Sequence, residues 1–167
     1  LTTVQDRNGG IRVLTHDKDY QLLTVKNELG VVEVSNTYDQ GFLKTSTDAN
    51  GNKTEYSYDA LGNLVESKDA ANRITRLTYD AKNNLKSLEQ VGIAGKTLFD
   101  YDANNNLIKT TDALGNVSAS TYNADGTLKS KSQMGAGAAS TKTTSFTYDW
   151  AANRMTVTDP VGNTSTV

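Results

Sequence analysis

The chain has 167 residues, with 17 basic and 19 acidic side chains, a formal net charge of −2 and no cysteine. Interspersed charge of that size excludes a basic patch for nucleic acid or an anionic membrane surface, short apolar runs exclude a membrane-spanning helix, and the missing cysteine excludes disulfides and thiolate metal sites. Hydrophobic residues make up only 36%, so the length admits a domain while the composition argues against a thick core.

Taken in chain order, a short phrase recurs: Asp or Asn, two variable residues, then Gly or Asn. It begins at Asp6, Asn27, Asp48, Asp59, Asp69, Asp80, Asp102, Asp112, Asn123 and Asp159, and it closes on Gly9, Gly30, Gly51, Gly62, Asn72, Asn83, Asn105, Gly115, Gly126 and Gly162. Two near misses stand beside these: Asp39-Gln40-Gly41 is one residue short, and Asp149-Trp150-Ala151-Ala152-Asn153 one residue long. Gly and Asn are the residues that take positive φ at least cost. A leading Asp or Asn accepts a hydrogen bond from the backbone two residues on, and a type I turn followed by a left-handed residue is a common hairpin connection. Pro160 occupies the second turn position, where its fixed φ suits type I. Each phrase is therefore predicted to be a β-turn.

About six residues separate successive turns, the length of a short strand. Residues 73–79 and 117–122 are rich in β-formers, and no window combines helical periodicity with caps. The expectation is about fourteen antiparallel strands. A parallel solenoid is the alternative that a 21-residue period would also suit.

Alternate turns differ in what precedes them. Tyr38-Asp39, Tyr58-Asp59, Tyr79-Asp80, Tyr101-Asp102 and Tyr148-Asp149 carry the aromatic, Tyr122-Asn123 is a variant, and His16-Asp17 reads as a degenerate start. A leucine follows six residues later at Leu22, Leu64, Leu85, Leu107 and Leu128, with Leu43 one residue early and Met155 one late. The unit is thus one hairpin of about 21 residues, with Tyr and Leu flanking one of its turns. Period-two alternation puts Tyr56, Leu77, Phe99, Ser120 and Phe146 on the tyrosine face, and Glu55, Ser57, Arg76, Thr78, Asp100, Thr121 and Thr147 on the other. The fold class expected is all-β: an array of antiparallel hairpins forming a curled ribbon. One repeat region is expected to span 1–167 in about seven units, cut off mid-pattern and uncapped at both ends.

Few residues invite chemistry. His16 has no partner arguable from sequence and is read as standing in for the repeat's tyrosine. Asp100, Asp102, Asn104 and Asn106 come nearest to a calcium loop but lack its remaining positions. Trp150 is read as packing, in a bulge made by its longer turn, rather than as a sugar platform. The breaks in rhythm at 89–95 and 133–140 are read as tolerated insertions. Asn52-Lys53-Thr54, Asn116-Val117-Ser118 and Asn163-Thr164-Ser165 fit the glycosylation acceptor pattern as a by-product of Gly-Asn after the turns. No catalytic set, phosphate loop or metal cluster is found, and no cofactor is expected.

The stretches "YDALGNLVESKDAANRITRLTYD" (58–80) and "YDANNNLIKTTDALGNVSASTYN" (101–123) resemble the Rhs or YD-repeat family, whose pattern is Tyr-Asp-x-x-Gly-x-Leu, a strand, Asp-x-x-Gly and a returning strand. The resemblance implies a ribbon wound into a hollow shell that, in bacterial polymorphic toxins and Tc toxin complexes, encloses a C-terminal toxin domain before delivery. It also implies a secreted or cell-surface protein, with further repeats of the parent chain and the enclosed domain as partners. An extracellular adhesion or carbohydrate-binding module, as in teneurins, is the alternative, with cell-surface glycans as partners. The family's self-cleaving Asp-Pro-x-Gly-Leu segment is not matched: Asp159-Pro160-Val161-Gly162 is followed by Asn163, as in ordinary turns.

Overall fold

The computed structural model describes residues 1–5, 7 and 9–167, and the turn expected at Asp6 lies outside them. Among the described residues there is no helix. The strands are β1 (Thr2–Gln5), β2 (Ile11–His16), β3 (Leu22–Asn27), β4 (Val32–Asp39), β5 (Phe42–Asp48), β6 (Lys53–Tyr58), β7 (Leu64–Lys68), β8 (Ile74–Tyr79), β9 (Leu85–Gln90), β10 (Thr97–Tyr101), β11 (Leu107–Thr111), β12 (Val117–Tyr122), β13 (Leu128–Met134), β14 (Lys142–Asp149), β15 (Arg154–Thr158) and β16 (Thr164–Thr166). They form one sheet whose order is the chain order, and the registers are antiparallel, so the chain is a meander and not a parallel solenoid. Sixteen strands exceed the expected fourteen or so. One turn that the phrase does not mark is Asp17–Tyr20, where Tyr20 itself takes the left-handed position at φ 63.

The chain divides into two compact units, Leu1–Arg76 and Leu77–Val167. In the first unit, hairpins β2–β3, β4–β5 and β6–β7 place His16 opposite Leu22, Tyr38 opposite Leu43 and Tyr58 opposite Leu64. In the second, β10–β11, β12–β13 and β14–β15 place Tyr101 opposite Leu107, Tyr122 opposite Leu128 and Tyr148 opposite Met155. A register shift sits just before the aromatic in all of these except the last. There one residue of the returning strand bulges out, which increases the local twist.

The exception corrects the reading of Trp150. Thr147 lies opposite Thr156, the same offset as Thr121 opposite Ser130. The residue that bulges from the strand in other hairpins is instead taken up by the turn, and no bulge exists there for the indole to fill. The short phrase at Asp39 is resolved differently: Gln40 and Gly41 both have positive φ, 50 and 89, between the paired Asp39 and Phe42. That is a two-residue type I′ connection.

Alternation is clear along the strands. On β14, Thr144, Phe146 and Tyr148 are half-buried while Ser145, Thr147 and Asp149 are exposed; on β10, Thr97, Phe99 and Tyr101 are half-buried while Leu98 and Asp100 are exposed. The exposed face carries cross-strand ion pairs such as Arg76–Glu66 at 2.9 Å and hydroxyl pairs such as Thr121–Ser130 at 2.7 Å. Among the described residues no hydrophobic side chain is fully buried. Within each unit the sheet is one layer thick, with an apolar-aromatic side and a polar side.

The two irregular loops are each anchored at one point. Both lie on the regular turn after β11: Gly95 packs against the backbone of Ala113, and the Ala136 N–H donates to Asn116 Oδ1 at 2.9 Å. A Cβ on Gly95 would overlap the Ala113 carbonyl, whereas one on Gly126 would meet open space; both glycines have positive φ, 89 and 83. Gly126→Ala should therefore lose about 1 kcal/mol from the left-handed backbone alone. Gly95→Ala should lose at least about 1 kcal/mol more from the overlap, as read from urea unfolding midpoints of the two variants.

Candidate functional site: turn clamps and a tyrosine seal

Most regular turns are closed by the carboxylate of their first residue. Asp48 Oδ1 accepts the N–H groups of Asn50 and Asn52, both at 2.9 Å, and its Oδ2 accepts the Asn52 side-chain amide at 2.8 Å. Backbone bonds close the turn alongside: the Asp48 N–H donates to Asn52 O at 3.1 Å and the Gly51 N–H to Asp48 O at 3.0 Å. The left-handed residue, Gly51 at φ 81, brings these groups round. Asp59 with Asn63, Asp80 with Asn84, Asp102 with Asn106, Asp112 with Asn116 and Asp159 with Asn163 repeat the same clamp. At Asp69 the partner is Arg73, whose Nε donates to Oδ2 at 2.6 Å. Asn27 makes a neutral version, its Oδ1 accepting the N–H groups of Leu29 and Val31, each at 3.0 Å.

The fifth turn position is a contributor the four-residue phrase leaves out. Its signal is present in the sequence, because Asn recurs there at 52, 63, 84, 106, 116 and 163. Asn52, Asn116 and Asn163, which head the glycosylation-like triplets, all commit their side-chain amides to the clamp. In the Asn123 turn the carboxylate moves to Asp125, which accepts the Thr127 N–H and hydroxyl at 2.9 and 2.6 Å. Asp149 also bonds its own turn, accepting the Ala152 N–H at 3.0 Å. The left-handed positions predicted for Asn72, Asn83, Asn105, Gly62, Gly115, Gly126 and Gly162 all have positive φ, between 62 and 93.

These hydrogen bonds favour the ionised acid. Asp48, Asp59, Asp102, Asp112 and Asp159 are held below the ordinary aspartate range, first by the asparagine side-chain amide and then by backbone N–H groups, against some desolvation. For Asp69 and Asp80 the backbone N–H of Arg73 and of Asn84 is the leading cause.

Tyrosine does a second job that the apolar columns alone do not reveal. Within an aromatic hairpin the ladder runs almost to the turn, but between hairpins it covers only a few residues at the opposite end. β11 and β12 pair from Lys109–Ala119 to Thr111–Val117, and β13 and β14 from Ser130–Ser145 to Gln133–Lys142. The carbonyls of Leu22, Leu107 and Leu128 lie at that open end, and a tyrosine hydroxyl from the next hairpin donates to each. Tyr38 reaches Leu22 O at 3.0 Å, Tyr122 reaches Leu107 O at 3.1 Å, and Tyr148 reaches Leu128 O at 3.0 Å. Asn36 Nδ2 adds a bond to the same Leu22 oxygen at 3.0 Å. Tyr58 packs on Phe42, with ring centroids 5.0 Å apart.

The remaining candidates fall apart as sites. His16 holds the tyrosine position of its hairpin opposite Leu22. Asp100 lies on a strand and meets Lys109 at 3.5 Å, while Asp102 closes a turn, so the two carboxylates do not converge. No group of three His, Asp or Glu side chains among the described residues is arranged to hold a metal. Trp150 lies parallel to Tyr148, with centroids 5.4 Å apart, yet it remains 66% exposed.

An array of antiparallel hairpins, most of their turns closed by an Asx clamp and several of them tied to the hairpin before by a Tyr–Leu seal, is the class of structure these features define. The chain belongs to the RHS Repeat family, which it matches over residues 38–73, 58–97 and 101–139. No curated protein matches it. Among solved structures, the crystal structure of TcdB2-TccC3 is similar at 22% identity with a TM-score of 0.79, covering 94% of this chain and 10% of its own. TcdB2-TccC3-Cdc42 gives the same values. A Photorhabdus luminescens Tc holotoxin pore is similar at 21% identity and a TM-score of 0.78, covering 94% of this chain and 9% of its own. The likeness is one of fold, and this chain spans about a tenth of the length of those chains.

A carboxylate whose folded pKa lies below its unfolded value adds stability that is complete above the unfolded value and lost as pH falls through the folded one. With seven clamped aspartates shifted the same way, the urea midpoint should be level from neutrality down to about pH 5. It should then fall below about pH 4. Separately, Tyr148→Phe removes only the hydroxyl on Leu128 O and should cost about 1 kcal/mol, with an unchanged denaturant slope in the same assay.

Proposed function

We propose that this chain is a stretch of the wall of an Rhs-type shell, part of a secreted bacterial protein that encloses a C-terminal toxin domain and helps deliver it. The observation that carries the reading is the one-layer sheet with an apolar-aromatic side and a polar side and no buried hydrophobic side chain among the described residues. Such a sheet divides two spaces and does little for itself. The wall works by exclusion: the enclosed domain is kept from solvent and proteases, and the enclosure is completed by further repeats of the parent chain. RHS repeats and a fold shared with Tc toxin assemblies support it. In this reading the residues named at the turns hold the wall together, and none acts on a substrate.

One observation favours a second reading, an extracellular adhesion or carbohydrate-binding module. Trp150 presents an exposed ring backed by Tyr148, the arrangement on which a sugar ring stacks. Limited proteolysis of the parent protein separates the two. Enclosure requires a domain after the repeats that resists protease while the repeats are intact and is digested once they are unfolded. A parent with no such domain, or one digested at the same rate in both states, would overturn it. Glycan binding lost in Trp150→Ala would then favour adhesion.

A further inference from the structure

We propose that Asn50 is a site of spontaneous covalent modification, deamidation through the Gly51 nitrogen, and that it converts before any other described asparagine. The proposal rests on the turn geometry and is independent of what the wall encloses.

Three features meet at this one position. Asn50 is exposed at the tip of the Asp48 turn, and among the described residues its side-chain amide has no hydrogen-bond partner, only its backbone N–H being held, by Asp48 Oδ1 at 2.9 Å. Its neighbour is a glycine, so no Cβ shields the attacking nitrogen. The place where a Cβ would stand on Gly51 has nothing within 4 Å. Other turn asparagines lack this combination. Asn52, Asn63, Asn84, Asn106, Asn116 and Asn163 have their side-chain amides held by a carboxylate. Asn105 accepts a hydrogen bond from Asn84 at 3.1 Å. Each of these, and Asn72 and Asn104 with them, is followed by a residue with a side chain.

In the reaction the Gly51 nitrogen forms a bond to Asn50 Cγ, and the bond from Cγ to the amide nitrogen Nδ2 breaks. Ammonia leaves, taking up the proton that the Gly51 nitrogen gives up, and a succinimide remains. Water then opens that ring at either carbonyl, giving aspartate or isoaspartate, with no oxidant or reductant involved. The Gly51 N–H donates to Asp48 O at 3.0 Å, so this bond opens first, and conversion proceeds through brief local opening of the turn. Both products work against the clamp. Aspartate adds a negative charge beside the Asp48 carboxylate. Isoaspartate lengthens the backbone by one carbon, so the closure from Asp48 to Gly51 and Asn52 no longer meets. The turn is thus a place where the wall weakens with time, as asparagine-poor thermostable proteins avoid doing.

Peptide mapping by mass spectrometry tests this on the folded protein held in mildly alkaline buffer and sampled over weeks. The tryptic peptide from Thr45 to Lys53 should gain about one dalton before any other peptide of described asparagines, with isoaspartate at position 50. The other Asn-Gly step, Asn8-Gly9, falls in a separate peptide. Gly51→Asn preserves the turn, since asparagine fills the equivalent left-handed position at Asn72, Asn83 and Asn105. It should slow conversion at Asn50 by at least about fivefold, because a Cβ now crowds the nitrogen. Earlier conversion at another described asparagine, or an unchanged rate in Gly51→Asn, would overturn the proposal.

Discussion

The structure depends on closing tight turns without help from a core. In an ordinary domain, burial of apolar surface holds strands in place and turns only connect them. Here no described hydrophobic side chain is fully buried, so register has to be set locally, at each reversal of direction. The Asx clamp does this by giving one carboxylate several short-range bonds to its own backbone and to the residue four positions on. Because the constraint is local, it can be repeated without limit, which a shared core cannot. The same economy narrows the choice of residues in most turns: a charge-bearing acceptor at the first position, a left-handed residue at the fourth and a side-chain donor at the fifth.

The tyrosine seal answers a second problem that the clamp creates. A hairpin bulged near its turn is twisted there, and its neighbour cannot follow it with backbone bonds along the whole length. Leucine carbonyls such as Leu107 O and Leu128 O are then left facing a gap, and the hydroxyls of Tyr122 and Tyr148 close it. One residue type thus supplies half-buried apolar surface within its hairpin and a polar tip to the hairpin before. Leucine supplies the matching pair, a side group opposite the tyrosine and a carbonyl for the next. This explains why the aromatic is a tyrosine at most of these turns while Phe and Leu suffice two residues earlier, at Phe99, Phe146 and Leu77.

Much of this is legible in the sequence because its determinants are local. The Asp-x-x-Gly phrase states the turn, and its alternation with Tyr and Leu states the hairpin. What is not legible depends on geometry between hairpins. Nothing in the Tyr–Leu spacing says that the hydroxyl of Tyr38 reaches the carbonyl of Leu22 rather than its own partner Leu43. Asp17–Tyr20 escapes the pattern because a tyrosine in the left-handed position contradicts composition statistics, yet the Asp17 carboxylate accepts the Asp19 and Gln21 N–H groups and closes the turn regardless. The breaks in rhythm at 89–95 and 133–140 show no anchor in the sequence, because the Asp112 turn they meet lies some distance away along the chain. In the turn at Trp150, an added residue and a missing bulge cancel, which only the register between β14 and β15 reveals.

The central claim is that the sheet is a single layer held by local closure rather than by a buried core. The heat-capacity change on unfolding, measured by calorimetry on the 167-residue protein, tests this directly, because it scales with the apolar surface that folding removes from water. An ordinary globular protein of this length would show about 2–2.5 kcal/mol/K. A one-layer wall should fall clearly below that range, and a value within or above it would contradict the account.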